Sequence, residues 1–335
     1  MLSNQRPGIY SRVEISGYCG GGSGGAALLL QSGGSDTHRV FRAESYHDGG
    51  ALLAGNSLAL TCLRLLFGGG AGAVSVIIAP TAAQALTELS ALGGIRAVIS
   101  GFTQPADLNE LRDFAEKSAA EQRECIAFVG IDNPQTAIGA AASLSSGRVV
   151  ITCPSAAHGE GGEPHPLYPA CALAAAVLSA PSPAHNFGGM IFPMLRGVAN
   201  LPEDTIQALL RAGVSVFEQI GGEAELIRAL TTDGGQGADG SLRSLNTVMI
   251  ADAVMMGIRA ALRRKLRGAG RATIEGIRDL VAVELAQAKD AGILASFAPP
   301  RCRADKKNPG VCVVEVSFGV AHLLSQIHLT AHIHV

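Results

Sequence analysis

Two motifs with chemical meaning fall on one glycine-rich tract, Gly17-Tyr18-Cys19-Gly20-Gly21-Gly22-Ser23-Gly24-Gly25. Gly20, Gly22 and Gly25 match GxGxxG, whose glycines let a backbone approach a pyrophosphate at a helix N-terminus. Gly21 to Gly25 match GxSxG, which would present Ser23 as a nucleophile on a strand-to-helix elbow. Either chemistry requires a helix that opens near Gly25. The next residues are Ala26-Ala27-Leu28-Leu29-Leu30-Gln31, cut short by Ser32-Gly33-Gly34, and this segment reads as a strand. No Lys comes after the glycines, which excludes a Walker A loop. A tract made almost wholly of glycine satisfies both patterns by composition, so the fitting reading is a pliable linker. An α/β-fold hydrolase or dinucleotide-binding enzyme that uses the Gly20–Gly25 region stands as the alternative.

Metal chemistry has one opening in the loop from Pro154 to Pro169, which carries His158, Glu160, Glu163 and His165. His158-Gly159-Glu160 matches half of the zinc-deaminase signature, but Pro169-Ala170-Cys171 lacks the second cysteine that the other half requires. Glycine and proline density there fits a solvated loop, and the spacing of zinc ligands is absent. His328, His332 and His334 share one face of a strand-like terminus, where a metal or pH-sensing role is conceivable; alternation alone also places polar residues there. Two basic clusters remain. One is Arg259, Arg263, Arg264, Lys265 and Arg267, and the other is Arg301, Arg303, Lys306 and Lys307. Basic residues in a last helical turn suit the helix dipole, and a dense cluster also suits an acidic partner. No Asp, His and Ser stand in a context that supports proteolysis. No catalytic, cofactor or metal site is expected.

Composition narrows the class further. Nearly half of the 335 residues are apolar, mostly Ala, Leu and Val, enough for a sizeable core and for two domains. With no Trp and few aromatics, stacking platforms for single-stranded nucleic acid are not expected. The 26 basic and 28 acidic residues leave a net charge of −2, so no overall field draws the chain to nucleic acid or an anionic membrane. The seven cysteines (19, 62, 125, 153, 171, 302 and 312) form no CxxC pair and read as reduced thiols of a protein folded in a reducing cytoplasm. The N-terminus lacks the apolar core of a signal peptide. The longest apolar run, Ala170 to Ala180, is well short of the roughly 18 residues of a membrane span.

The elements that would position these residues alternate regularly. Helix is expected over 51–67, a strand over 73–78, and a helix capped by Thr81 that runs to Leu92. Strands 95–100, 125–130 and 148–153 are separated by helices 105–122 and 134–146, with Ala106, Leu108, Leu111 and Ala115 on the inner face of the first. This is the pattern of βαβ units around a mostly parallel sheet covered on both faces. A small-residue helix at 170–180, a helix to Ala212 and a strand 214–220 come next. The Gly-rich segment 231–240 marks a domain boundary. Beyond it a long helix over 242–266 turns Leu245, Val248, Met249, Ala253, Met256 and Ala260 to one side, and Thr273 caps a helix to Ala291.

Both termini read as strands without a sheet. Ile9, Val13 and Ile15 alternate with Tyr10, Arg12 and Glu14; Ile327, Leu329, Ala331, Ile333 and Val335 alternate with His328, Thr330, His332 and His334. A strand over 311–318 precedes the second. The sequence ends on Val335 with no polar cap, and an uncovered apolar edge recruits another chain. Assembly is the expectation.

In order and local pattern the chain resembles the contractile tail sheath proteins of bacteriophages and related contractile injection systems. The likeness is carried by Arg6-Pro7-Gly8-Ile9-Tyr10, by Phe128-Val129-Gly130-Ile131-Asp132-Asn133-Pro134 and by Arg148-Val149-Val150-Ile151-Thr152-Cys153-Pro154. A Pro-rich passage to Phe187, Val198-Ala199-Asn200-Leu201 and Ala212-Gly213-Val214-Ser215-Val216-Phe217 continue it. Thr231-Thr232, Arg243-Ser244-Leu245-Asn246-Thr247 and the terminal strands complete the series. The glycine tract, the small size and the His-rich last strand depart from the pattern.

The resemblance implies a subtilisin-like layered α/β sheath domain (26–240) and a C-terminal α+β domain (241–335). An N-terminal arm and Gly-rich linker (1–25) precede them, and N- and C-terminal β arms are exchanged among neighbours. It implies a non-enzymatic structural subunit that polymerises helically around an inner tube and contracts to drive the tube through a target envelope. Ile9, Tyr10, Val13, Ile15, Ile327, Leu329, Ile333 and Val335 would form the inter-subunit arms. Arg263, Arg264, Lys265, Arg267, Arg301, Arg303, Lys306 and Lys307 are the tube-contact candidates. The implied partners are other copies of the chain, the inner tail tube protein, and baseplate and tail terminator proteins, with no nucleic acid, no membrane insertion and no cofactor. The resemblance also implies synthesis in the bacterial cytoplasm and residence in a virion tail or injection particle. A non-contractile structural homo-oligomer, such as a shell or filament protein, is a third reading.

Overall fold

The computed structural model describes residues 25–33, 38–53, 55–159, 161–234, 243–267, 273–308 and 310–320. The arm residues at 9–15 and 327–335, the three terminal histidines and most of the glycine tract lie outside the described residues.

Short apolar runs form the central strands of the first half, and side-chain caps from Ser45, Asn56, Thr81 and Asn133 start four of the helices between them. In order these are β1 (Gly25–Gln31), β2 (Arg39–Ala43), α1 (Tyr46–Leu52), α2 (Ser57–Gly68), β3 (Val74–Ala79), α3 (Ala82–Ala91), β4 (Ile95–Ser100), α4 (Pro105–Ala120), β5 (Ile126–Gly130), α5 (Pro134–Leu144) and β6 (Val149–Cys153). A less regular passage holds β7 (Ala157–His158), α6 (Leu167–Ser179), β8 (Met190–Phe192) and β9 (Leu195–Arg196). Then come α7 (Glu203–Ala212), β10 (Val214–Ile220) and β11 (Glu223–Leu226), and finally α8 (Leu245–Leu266), α9 (Ile274–Asp290), β12 (Leu294–Phe297), β13 (Arg301–Ala304), β14 (Cys312–Glu315) and β15 (Phe318–Val320).

The main sheet has nine strands in the order β2-β3-β1-β4-β5-β6-β10-β11-β8. Its middle, from β3 to β10, is parallel, with Leu28 beside Val76 on one neighbour and Ile99 on the other. Antiparallel β2, β11 and β8 extend it at both ends. Parallel strands joined by helices must be covered on both faces, which is why β3, β5 and β6 are buried along their whole length. Residues such as Leu28, Val76, Ile99 and Phe128 meet α2 and α6 on one face. Ala27, Ile77, Val98 and Val129 meet α3, α4, α5 and α7 on the other. Phe128, Phe187 and Phe217 are at most 1% exposed, and burying one such side chain contributes about 1.5–3 kcal/mol.

Thr81 accepts from the Gln84 N–H and Thr273 from the Gly276 N–H, the two caps expected. Asn133 does the same for Thr136, with Pro134 in the first helical position. The helix expected over 51–67 is instead two. Gly55 takes a left-handed φ of 98°, and Asn56 turns its side-chain oxygen to the Ala59 N–H, starting α2 afresh. On α4 the inner face is Leu108, Leu111, Ala115 and Ser118, whereas Ala106, in the first turn, is exposed. The strand expected over 311–318 breaks into β14 and β15, which pair with different partners, β13 and β12.

The expected face of α8 needs correction. Ile250, Val254, Ile258 and Leu262 are the residues buried against α9, with Val281 and Leu285 opposite; Ala253 and Met256 are half-buried and Ala260 is exposed. The first turns of α8, through Leu245, Val248 and Met249, enter the same core as α2 and α6. Alone, α8 is long and apolar enough to cross a membrane, but most of that stretch is buried within the fold. Thr231 and Thr232, at the start of the Gly-rich break, are buried. Thr232 donates its N–H to Val149 and exchanges hydrogen bonds with Ser146.

Candidate assembly surfaces

The enzyme alternative turns on what opens at Gly25. It is β1, a buried strand, and the helix that a nucleotide loop or nucleophile elbow needs there is not formed. A cavity of about 520 Å³ sits at the carboxyl ends of β4 and β5, where open α/β sheets commonly bind ligands. The ionisable residue in its lining is Asp132, and Asp132 Oδ1 already accepts from the Ser155 N–H at 3.0 Å and the Ser155 hydroxyl at 2.5 Å. That carboxylate therefore ties the loop after β5 to the loop after β6, with no base beside a nucleophile in the lining. Burial pushes the Cys125 thiol up to about 11 and that of Cys153 up to about 12, so neither is a thiolate at neutral pH.

The histidine loop is more ordered than a solvated loop. Ala157 and His158 pair with Arg196 and Leu195, and Ala156 bridges His165. His158 Nδ1 lies 3.1 Å from the Met194 carbonyl, and His165 Nδ1 accepts from the Leu167 N–H at 3.1 Å, starting α6. The fold thus occupies one ring nitrogen of each. Glu163 is exposed, and Glu160 lies outside the described residues. Among the described residues no group of three or more His, Cys, Asp and Glu is placed to hold a metal ion.

The first basic cluster is divided by the structure. Arg259 is buried and paired with Glu124, so it is no surface charge. Arg263 is exposed and donates to Gln122 Oε1 at 2.8 Å, while Arg264, Lys265 and Arg267 are exposed at the end of α8. In the second cluster, Arg303 pairs across the ribbon with Glu315 at 2.7 Å. Lys306 and Lys307 stand in the β13–β14 turn, where Asp305 accepts from the Lys307 and Asn308 N–H groups. Those two bonds hold the Asp305 carboxyl below its ordinary range.

Sequence reasoning missed the ionic group that seats α8 on the sheet. Arg96 on β4, Glu124 just before β5 and Arg148 just before β6 stand at the amino ends of three neighbouring strands. Asp252 receives Arg148 through two bonds of 2.5 and 2.7 Å and lies 4.0 Å from Arg96. Arg259, seven residues on, donates to the Glu124 carboxylate. Seven residues of helix rise about 10.5 Å, roughly the width of two strand spacings, so one helix face spans the ends of all three strands. Arg243, just before α8, donates to the Leu210 and Arg211 carbonyls at 2.5 and 2.6 Å and satisfies the open end of α7. The available signal was Asp252, the one acidic residue of α8, set between Ala251 and Ala253 in its apolar first half.

Beyond α9 the structure changes character. β12–β15 and β13–β14 are each sheets of two strands. Two-stranded sheets are marginal in water and are completed by a helix or a further strand. One face of each is partly covered by α9, through residues such as Val314, Val316, Phe318 and Val320. Outer edges remain, and β15 leads directly into 321–335, which lies outside the described residues.

No protein-family model matches the sequence, and no curated protein matches it either. Solved structures do match. One is a chain of the anti-feeding prophage helical sheath in its contracted state, 15% identical, aligned over 98% of this chain and 99% of that one with a TM-score of 0.70. A second is a chain of the PVC sheath complex of an extracellular contractile injection system, also contracted, 12% identical over 99% and 98% with a TM-score of 0.70. The chain has the fold of a sheath subunit. The sheath tail protein of Desulfitobacterium hafniense, 11% identical, aligns over 94% of this chain and 100% of that chain with a TM-score of 0.64. The sheath fold therefore extends through the α/β layers and α8–α9 alike, and it accounts for the α/β architecture expected.

Proposed function

We propose that this chain is the structural subunit of a contractile sheath, polymerising helically around an inner tube and contracting to drive that tube through a target envelope. The observation that carries the reading is the end-to-end coincidence of its fold with subunits of two contracted sheaths, at 98% or more of both chains in each case. A part-chain match would have supported only a shared domain. The reading is non-enzymatic, and the occupied Asp132 and the strand at Gly25 agree with it.

Assembly in this reading joins chains through backbone hydrogen bonds. Segments 1–15 and 321–335 add strands to the open edges of the β12–β15 and β13–β14 ribbons of neighbouring copies, with Ile9, Tyr10, Val13 and Ile15 and with Ile327, Leu329, Ile333 and Val335 filling alternate pockets. The tract 17–25 is the tether that lets subunits rotate while their shared sheets persist. A heterologous contact that does not close generates a helix. The extended array stores a metastable arrangement, and contraction releases it through better subunit interfaces, with no nucleotide consumed. The layered unit 26–240 and the unit 241–335 then divide the work between bulk and connection. Baseplate and terminator proteins are the remaining partners, and the particle works outside the cytoplasm that makes it.

The basic residues of α8 and the hairpin are proposed to hold the tube. Lys265→Glu with Arg267→Glu leaves the paired Arg259 and Arg263 untouched, so the chain stays folded, at a cost of about 0.3–1 kcal/mol per charge in lost helix-dipole complementarity, while sheath-on-tube assembly is lost. A variant that still loads onto tubes removes this cluster from the contact. The central test is negative-stain electron microscopy of the full chain beside the same chain without residues 1–15. Tubes or stacked rings that dissolve into monomers on truncation support arm-mediated assembly. A monodisperse monomer in both samples refutes it.

A further inference from the structure

The sheath reading gives no task to the two cysteines of the C-terminal ribbon. Cys302 lies opposite Val314 and Cys312 opposite Ala304, so the two cysteines are diagonal neighbours on the same face of β13–β14. Burial first, and then the neighbouring Cys312, push the Cys302 thiol above its ordinary range. Both are partly buried, in reach of a small reagent, whereas Cys62, Cys125, Cys153 and Cys171 are buried in the main layers.

We propose that Cys302 and Cys312 form a redox-responsive dithiol, which a small-molecule disulfide converts into an intrachain disulfide that staples β13 to β14. Diagonal partners in a flat antiparallel pair sit about 7–8 Å apart at Cα, and a disulfide asks for about 4.4–6.8 Å. A ribbon of two strands twists more strongly than a wide sheet, which draws one diagonal together. Among the described strands none flanks β13 or β14 to resist that approach. The step is thiol–disulfide exchange. One cysteine thiolate attacks a sulfur of the oxidant, giving a mixed disulfide and one released thiol. The second cysteine attacks that mixed disulfide and releases the second thiol. The pair loses two electrons and two protons, and the oxidant gains both. The product closes a loop of about ten residues in a ribbon that is otherwise marginal.

The inference stands whether or not the chain forms a sheath. Its test uses the native full-length protein incubated with oxidised glutathione, quenched by alkylation and digested without reduction. The expected product is a peptide pair joined through Cys302 and Cys312, with both positions lost to alkylation in step and the four buried cysteines labelled only after denaturation. Hydrogen exchange of the β13–β14 amides slows by up to about 100-fold in the oxidised form, the ceiling set by the entropy of a closed loop of that size. Cys302→Ser leaves Cys312 carrying a stable glutathione adduct and abolishes the slowing. Separate glutathione adducts at both positions of the parent protein, linkage of either to another cysteine, or no oxidation at either site overturns the proposal.

Discussion

Asp252→Asn removes the charge on which the α8 seat converges while preserving shape. In the native protein the Asp252 side chain is 2% exposed and accepts two bonds from Arg148, whose own side chain is 15% exposed, with Arg96 at 4.0 Å. Water has little access to compensate the guanidinium left behind. Breaking one partner of such a buried pair costs about 3–5 kcal/mol. A cooperative unfolding entropy of about 2.1 cal/mol/K per residue over the chain gives roughly 0.7 kcal/mol/K, so Tm falls by about 4–7 °C. Scanning calorimetry of the parent and variant measures this directly. The companion is the double variant Arg148→Met with Asp252→Leu, which replaces the pair by apolar groups and should recover a good part of the loss. Arg96, with 19% of its side chain already exposed, can turn to water. A Tm shift under about 1 °C for Asp252→Asn, or a double variant no better than the single one, would refute the view that this pair seats the helix.

Other outcomes rest on single named contacts. A Cβ at Gly130 would run into the backbone carbonyl of Pro166 ahead of α6; Gly130→Ala should lower stability by about 1–3 kcal/mol or more. Gly139→Ala, on the open side of α5 with nothing within 4 Å, should raise it by up to about 1 kcal/mol, both read from urea midpoints. His165 accepts the Leu167 N–H only while Nδ1 is unprotonated, and burial lowers its pKa. The native state then binds fewer protons than the unfolded chain, so stability is full above the ordinary histidine pKa of about 6.5 and declines as pH falls below it. His165→Asn, which keeps an acceptor but not the titration, should flatten the difference between melts at pH 7.5 and pH 5; an unchanged difference removes His165 as its source. Thr273→Ala deletes the cap of α9 and should cost about 1 kcal/mol, visible as faster exchange of the first-turn amides.

Legibility tracked how locally each feature is encoded. Val74–Ala79, Ile126–Gly130 and Val149–Cys153 were readable because a strand buried on both faces must be apolar throughout, and Thr81 and Thr273 because a cap is a bond between residues three apart. The edge strand Arg39–Ala43 escaped notice, since a strand with two arginines and one open edge carries little apolar signal. The buried face of α8 was misplaced for a different reason. Periodicity shows that a helix has an apolar side, but α8 has neighbours on two sides, the strand ends and α9, and the sequence period does not say which neighbour each residue meets.

From the sequence alone came the α/β class, the sheet's parallel strands, the small-residue central helix and the likeness to sheath proteins, all consequences of residue type and spacing along the chain. Tertiary structure decided that Arg148 and Asp252, 104 residues apart, and Glu124 and Arg259, 135 apart, are partners rather than surface charges. It also decided that Cys302 and Cys312 share one face of a ribbon. Apolar burial is announced by composition because water rejects such side chains wherever they stand. The pairing of a charge or a thiol depends on which distant strand end the fold delivers to it, and that is set by sheet order and register.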